Sequence, residues 1–313
     1  MSEREIGCED LSLAIEDLRR QGFRLDVIYP ADDPKAAALS RGDESVRLVM
    51  PGAPTLSGEL PAFKAQFLLT RAGAEPAKGR AGMLYRDLIP GRLGGRYIAS
   101  HIAIPEGGPV ADWVHHHRVA LQLIAVWRGW VRVVYENQGE PFVMNEGDLV
   151  LQPPGIRHRV LESSSGLEVV EISAPALHET LADHELSLPN AGQTGRMFGG
   201  QRFLRHVAAT APWVPFNDAE ARQTEICEAT GGLAQVRTIR PGTGSGLLME
   251  PTGGELVFGF VLDGSATLDR HGSCRLDPAH AFVIPPEEEW GLSEMSGDFR
   301  LLHVTTARLD DGA

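Results

Sequence analysis

Apolar and polar positions change rhythm along the chain. In EDLSLAIEDLRRQG, Leu11, Leu13, Ile15 and Leu18 recur at partly helical spacing and the run stops at Gly22, which predicts a short helix. FRLDVIYP alternates and predicts a strand. ADDPKAAALS sets an Asp and a Pro ahead of alanines and predicts a second helix, and SVRLVM predicts a second strand. Residues 51–80, rich in Gly, Pro and Ala, read as a linker with at most one strand around Phe63–Leu69. From about Tyr85 onward the segments are short and strand-like: RYIASHIAI, VALQLIAVW, WVRVVYE, PFVMNEGDLVLQP, HRVLE and LEVVEIS, bounded by Gly, Pro or Asn. Such spacing predicts an all-β barrel or sandwich.

A later stretch repeats this one more weakly. ALQLIAVWRGWVRVV is echoed by ELVFGFVLDGSATLD, and GDLVLQPPGIRH by AHAFVIPPEEEW. Gly129 then matches Gly264, and Pro153 matches Pro285, so the second copy has a slightly shorter hairpin between them. The expected organisation is a small α/β N-terminal lobe and linker over 1–84, a first β domain over 85–181, and a connection plus second β domain over 182–313. The N-terminal αβαβ lobe resembles half of a vicinal-oxygen-chelate module but has no histidine, so packing or dimerisation is its expected role.

Composition narrows the function. The 35 glycines and 21 prolines suit many strands joined by tight turns better than a helical bundle. Forty-two acidic against 29 basic side chains give a net charge of −13, which repels phosphate backbones and anionic membranes, so neither nucleic acid nor membrane is expected as a partner. Cys8, Cys227 and Cys274 lie far apart without a CxxC pair, which suggests neither a disulfide framework nor a thiolate zinc site and fits a reducing, cytoplasmic setting. The charged start MSEREIGCED lacks a signal-like apolar run, and a soluble, unprocessed chain is expected.

Five of the 11 histidines fall within residues 101–158: His101, His115, His116, His117 and His158. On a strand, alternate residues share a face, so His115 and His117 can point inward together while His116 points away. A single barrel histidine is usually a hydrogen-bonded core residue, and a run of three could be a surface accident. Neither reading accounts for His158, which closes a second spaced pattern. His115-x-His117-x4-Gln122-x6-Gly129 and Gly147-x5-Pro153-x-Gly155-x2-His158 together resemble the two motifs of the cupin superfamily. Gln122 stands where that family has Glu, and Glu162 where it has Asn.

The resemblance implies a mainly β fold of tandem RmlC-like jelly-roll barrels. It also implies one divalent transition metal in the first, held by His115, His117, Gln122 and His158. Fe(II) is the favoured ion, with Mn, Ni, Zn or Cu as alternatives. The second copy, with roughly Glu250, Thr252, Val257 and Trp290 at the ligand positions, reads as degenerate and structural. A homodimer is expected by analogy with the family, whose barrels pair through sheet edges that need covering.

The chemistry of the residues agrees. Imidazoles suit first-row transition ions, and neutral ligands leave the ion its full charge for an anionic or enolate oxygen of a small-molecule substrate. Gln122 cannot accept a proton, so another group must act as base, and His101 on the preceding strand is the candidate catalytic residue. Ile124 and Val126, on the face of Gln122, predict an apolar pocket, and Trp113, Arg96 and Tyr97 are candidates to orient a substrate ring or carboxylate, as is Arg92. The favoured function is a dioxygenase for a small bidentate diol, hydroxy-acid or β-diketone. The alternatives are a non-redox metal-dependent isomerase or cyclase and a non-catalytic ligand-binding protein.

Overall fold

The computed structural model describes residues 3–73, 75–79, 82–244 and 246–309. Strands dominate, and they assemble into two sandwiches, each made of two facing sheets. In the first unit, one sheet runs Leu204–His206, Leu149–Leu151, Leu121–Arg128, Leu167–Ala174, Ile98–Ile104, Leu84–Asp87 and Ala77–Lys78. The facing sheet includes Thr180–Ala182, His115–His117, His158–Ser163, Trp130–Tyr135 and Phe142–Asn145. Val126, Val131, Val133, Met144, Val150 and Val169 from the two sheets form a shared interior. The second unit repeats the plan with a seven-stranded and a four-stranded sheet around Ile239, Leu247, Val261, Phe282, Trp290 and Leu301. No helix among the described residues is long and apolar enough to cross a membrane.

The repeat seen in the sequence is visible as a shared hairpin device. Gly129 and Gly264 both have positive φ, and a Cβ on either would collide with a serine hydroxyl, that of Ser164 or Ser296. Those hydroxyls accept the amides of Trp130 and Ser265, at 3.0 and 2.8 Å. The left-handed turn thus lets a serine seal each hairpin at a point where no side chain fits.

Each unit is apolar on the outside as well. Leu121, Leu123, Val170 and Ile172 of the first pack against Val236, Phe258, Phe260 and Val304 of the second. Strands buried on both faces carry apolar residues on both, which is why Leu121–Arg128 and Ile98–Ile104 show little alternation. The units also exchange edges. Leu68–Thr70 pairs with Ala281–Val283 of the second unit, and Leu204–His206 pairs with Leu149–Leu151 of the first.

The N-terminal residues continue the first unit's sheet through Arg24–Tyr29, which pairs with Thr180–Ala182. Helix Leu11–Arg20 forms as expected, with Asp10 accepting the amide of Leu13 and Leu11, Ile15 and Leu18 buried, whereas Leu13 is exposed. The second predicted helix is instead the strand Ala36–Arg41. It pairs on both sides, with Arg24–Tyr29 and Glu44–Val49, and its buried Ala37 and Leu39 pack in the same cluster as the helix residues Leu11, Ile15 and Leu18. Two ladders of backbone hydrogen bonds outweigh the weak helical preference of a few alanines.

Candidate metal centre

Strand His115–His117 lies between His158–Ser163 and Thr180–Ala182, with His115 directly opposite His158. The period of two turns His115 and His117 inward and His116 outward. His115, His117 and His158 are all buried, and one ligand atom from each lies within 4.8 Å of the others. Ring centroids are 4.2 Å apart for His115 and His158, 5.1 Å for His115 and His117, and 5.3 Å for His117 and His158.

Bonds behind the rings set their tautomers. His115 Nδ1 donates to the Trp113 carbonyl at 2.8 Å, with Asp112 Oδ1 3.5 Å away, and His158 Nδ1 donates to the Ile156 carbonyl at 3.1 Å. A carbonyl can only accept, so the proton sits on Nδ1 and the lone pair on Nε2, the form a metal ion requires. His117 Nδ1 is 3.2 Å from Thr180 Oγ1. Asp112 is itself fixed, accepting the Val160 amide at 3.0 Å. Three buried imidazoles gathered behind such supports fit a divalent transition ion.

Next to them runs a polar chain that the spacing argument only partly captured. Tyr135 Oη donates to Gln152 Oε1 at 2.6 Å, Gln152 Nε2 donates to Gln122 Oε1 at 3.0 Å, and Gln122 Nε2 donates to Glu171 Oε1 at 3.0 Å. Gln152 Nε2 also lies 3.3 Å from His158 Nε2, and Ser173 Oγ donates to Glu171 Oε1 at 3.1 Å. An acceptor-only carboxylate at 171 forces the Gln122 amide to turn its NH2 that way and its oxygen toward the histidine side. A Glu at 122 would instead face Glu171 as a like charge, so the carboxylate of this site comes from the neighbouring strand. Burial, and then the charge of Glu171, push the Tyr135 hydroxyl far above its usual range, so it serves only as a donor here.

These groups line a cavity of about 80 Å³ whose other walls include Met83, Ile102, Ile104, Ile124, Val131 and Val133. Glu171 is the one carboxylate, and no Lys or Arg among the described residues lines it. Ile124 lines the wall, while Val126 belongs to the apolar cluster around the cavity. A fourth imidazole, His178, packs edge-on against His117 from outside, with centroids 5.6 Å apart, and burial lowers its pKa. No sequence signal marked it. His116, turned outward, lines an external groove with His178.

Five expected site residues lie elsewhere. His101 points out of the cavity, its Nε2 2.6 Å from Glu168 Oε2 and its ring against Trp127 and, across the unit boundary, Phe260. It cannot reach a substrate at the histidine cluster. Arg96 and Tyr97 are also buried between the units, where Arg96 pairs with Glu255 at 2.9 Å and Tyr97 donates to the same carboxylate at 2.9 Å. Trp113 packs against the N-terminal cluster and backs His115 from outside, with centroids 6.1 Å apart. Arg92 is engaged by Asp32 and Asp87.

Strand register locates the same positions in the second unit. Met249 faces Trp290 as His115 faces His158, which shifts the rough sequence alignment at Glu250 by one residue. Val257 lies opposite Thr305 as Gln122 lies opposite Ser173, and Gly259 opposite His303 as Ile124 opposite Glu171. The ligand positions are thus apolar, and the cluster of three is absent from this unit's described residues.

No family model matches the chain, and no curated protein matches it in sequence. Solved structures do match. Salicylate 1,2-dioxygenase from Pseudaminobacter salicylatoxidans superposes with a TM-score of 0.55 at 18% identity, over 79% of this chain and 86% of that one. Protein Ylba from E. coli gives 0.56 at 11% identity over 79% and 93%, and an oxalate decarboxylase from B. subtilis 0.54 at 9% over 82% and 80%. This chain shares the cupin-like fold of these structures, and its own three-histidine cluster lies in its first unit.

Proposed function

We propose that the protein is a metal-dependent cupin enzyme, of dioxygenase type, acting on a small substrate that offers two oxygens to the ion. The observation that carries this reading is the convergence of His115, His117 and His158 within 4.8 Å at the wall of a small, largely apolar cavity. Gln122 Oε1 keeps a lone pair for the ion after accepting from Gln152, which supports it as a fourth ligand. A bound ion would act as a Lewis acid on the substrate oxygens and, if redox-active, allow reaction with O2.

The chain's own residues supply the rest. Glu171 is the acceptor for the acidic proton of the substrate, and the donors Gln122 and Ser173 hold its Oε1 in place. Tyr135 and Gln152 fix Gln122, so the acceptor is positioned by a chain of bonds with one direction. Met83, Ile102, Ile104 and Val131 exclude water and grip an apolar flank. Because no cationic side chain among the described residues meets the cavity, an acid group beyond the chelating pair would be desolvated without a partner. A diol or β-diketone type of substrate fits this better than one carrying an extra carboxylate.

The presence of Glu171 also favours a second reading, a non-redox isomerase that moves a proton within the substrate. Oxygen uptake separates the two. Protein loaded with Fe(II) and offered a panel of diols, hydroxy-acids and β-diketones should consume O2 in step with substrate loss. Equal turnover in the absence of O2 would replace the dioxygenase with the isomerase, and thermal shifts without product would leave only a binding protein.

A further inference from the structure

In the second unit, at the places that Glu171 and Ser100 hold in the first, stand His303 and Arg237, directly opposite each other on neighbouring strands. Both are buried, with 1% and 7% of their surface exposed. Neither ring nitrogen of His303 has a hydrogen-bond partner, and neither does Arg237 Nε. The guanidinium lies over the Phe216 ring at 4.4 Å and gives one NH2 to Gln235 Oε1, but no carboxylate among the described residues pairs with it. The Trp290 ring closes the other side of His303, with centroids 5.6 Å apart. Burial, and then the charge of Arg237, hold the His303 pKa down to about 3, so at neutral pH the pair carries one positive charge and offers an imidazole N–H beside it. A buried cation without a counter-charge and donors without acceptors are a costly combination, and native interiors almost always satisfy them.

A way in exists. Gln235 and Thr305, one pleat further along the same faces of the same two strands, line a pocket of about 350 Å³. Its rim carries Thr252, Gly254 and the exposed Arg308, and no carboxylate among the described residues lines it.

We propose that the second unit holds a binding site for a small monoanionic carboxylate, which enters past Gln235 and Thr305 and is bound by Arg237 Nε and the His303 ring. One oxygen takes the guanidinium N–H and the other the imidazole N–H, an arrangement that suits a two-oxygen anion of one charge. The site is independent of the metal centre and of the reaction proposed for it.

Formate is the probe. With metal-bound protein in a non-coordinating buffer, sodium formate should raise the melting temperature more than sodium chloride at equal ionic strength, with saturation. Arg237→Met should remove the part of that increment that formate at the metal does not supply, corresponding to at least a tenfold weaker Kd for this site by calorimetry. Binding of formate at the metal would persist in this variant and so cancels in the comparison. His303→Phe, which exchanges one aromatic ring for another in an apolar setting, is the second variant and should also lose that part of the increment; it decides the matter should Arg237→Met not fold. Equal shifts with formate and chloride, or a formate increment as large in the folded variants as in the unsubstituted protein, would overturn the proposal.

Discussion

In the first unit the strand that opens with His158 faces His115; in the second, the strand that opens with Trp290 faces Met249. The hairpins, the serine seals and the pairing order are shared, so the backbone plan is indifferent to which set of side chains it carries. The first interior keeps a cavity lined by imidazoles, two amides and a carboxylate. In the second, Met249, Phe282 and Trp290 pack at the corresponding positions, beside the buried pair His303 and Arg237. Filling a core with large apolar side chains contributes roughly 1.5–3 kcal/mol for each one fully buried, whereas an open polar site forgoes that packing. The pair of units therefore separates a scaffold kept stable by packing from one kept polar for its chemistry.

The sharpest way to break this comparison is to strip the first unit of its ligands. Replacing His115 and His158 together by Ala should abolish turnover, by ~10³-fold or more, while steady-state assays of Trp290→Phe retain activity within a few-fold. Next in size, Glu171→Gln should lower kcat by about 10²–10³ with metal content unchanged, because it removes the proton acceptor and leaves the histidines in place. A loss of metal in that variant would instead make Glu171 a ligand.

The boundary between the units offers a stability test. Arg96→Met strands Glu255 among buried groups and should cost about 3–5 kcal/mol in denaturant unfolding. A comparable effect at most is expected from acid. His303 stays neutral in the native state down to about pH 3 but takes a proton in the unfolded chain near its ordinary value of 6.5. The unfolded state binds more protons in that window, so stability is complete above pH ~6.5 and falls toward pH 3, with a slope of at most about 1.4 kcal/mol per pH unit. His303→Phe should flatten that part of the profile. Smallest of all, His101→Phe should change kcat by less than about twofold, since His101 faces the other unit and not the cavity.

What could be read from the sequence followed from how each feature is encoded. His115, His117 and His158 sit at fixed spacings around a proline turn, and period two chose their faces, so the cluster was legible. His101 was not, because Ile98–Ile104 is apolar on both faces and alternation cannot say which one looks inward. The meaning of Glu171 and Gln152 depends on partners 49 and 30 positions away. Arg96 and Tyr97 needed Glu255, at a separation of 159 and 158, before their structural role could be seen. The strand Ala36–Arg41 was misread as a helix because local preference was weighed without its two pairing partners.

The central claim is that one unit of the pair is the metal centre and the other is not. Anomalous diffraction at the absorption edge of the metal, from crystals of protein loaded with a single transition ion, tests it most directly. The account predicts one strong peak per chain, within bonding distance of His115, His117 and His158. A peak beside Trp290 and His303, or none at the three histidines, would contradict it.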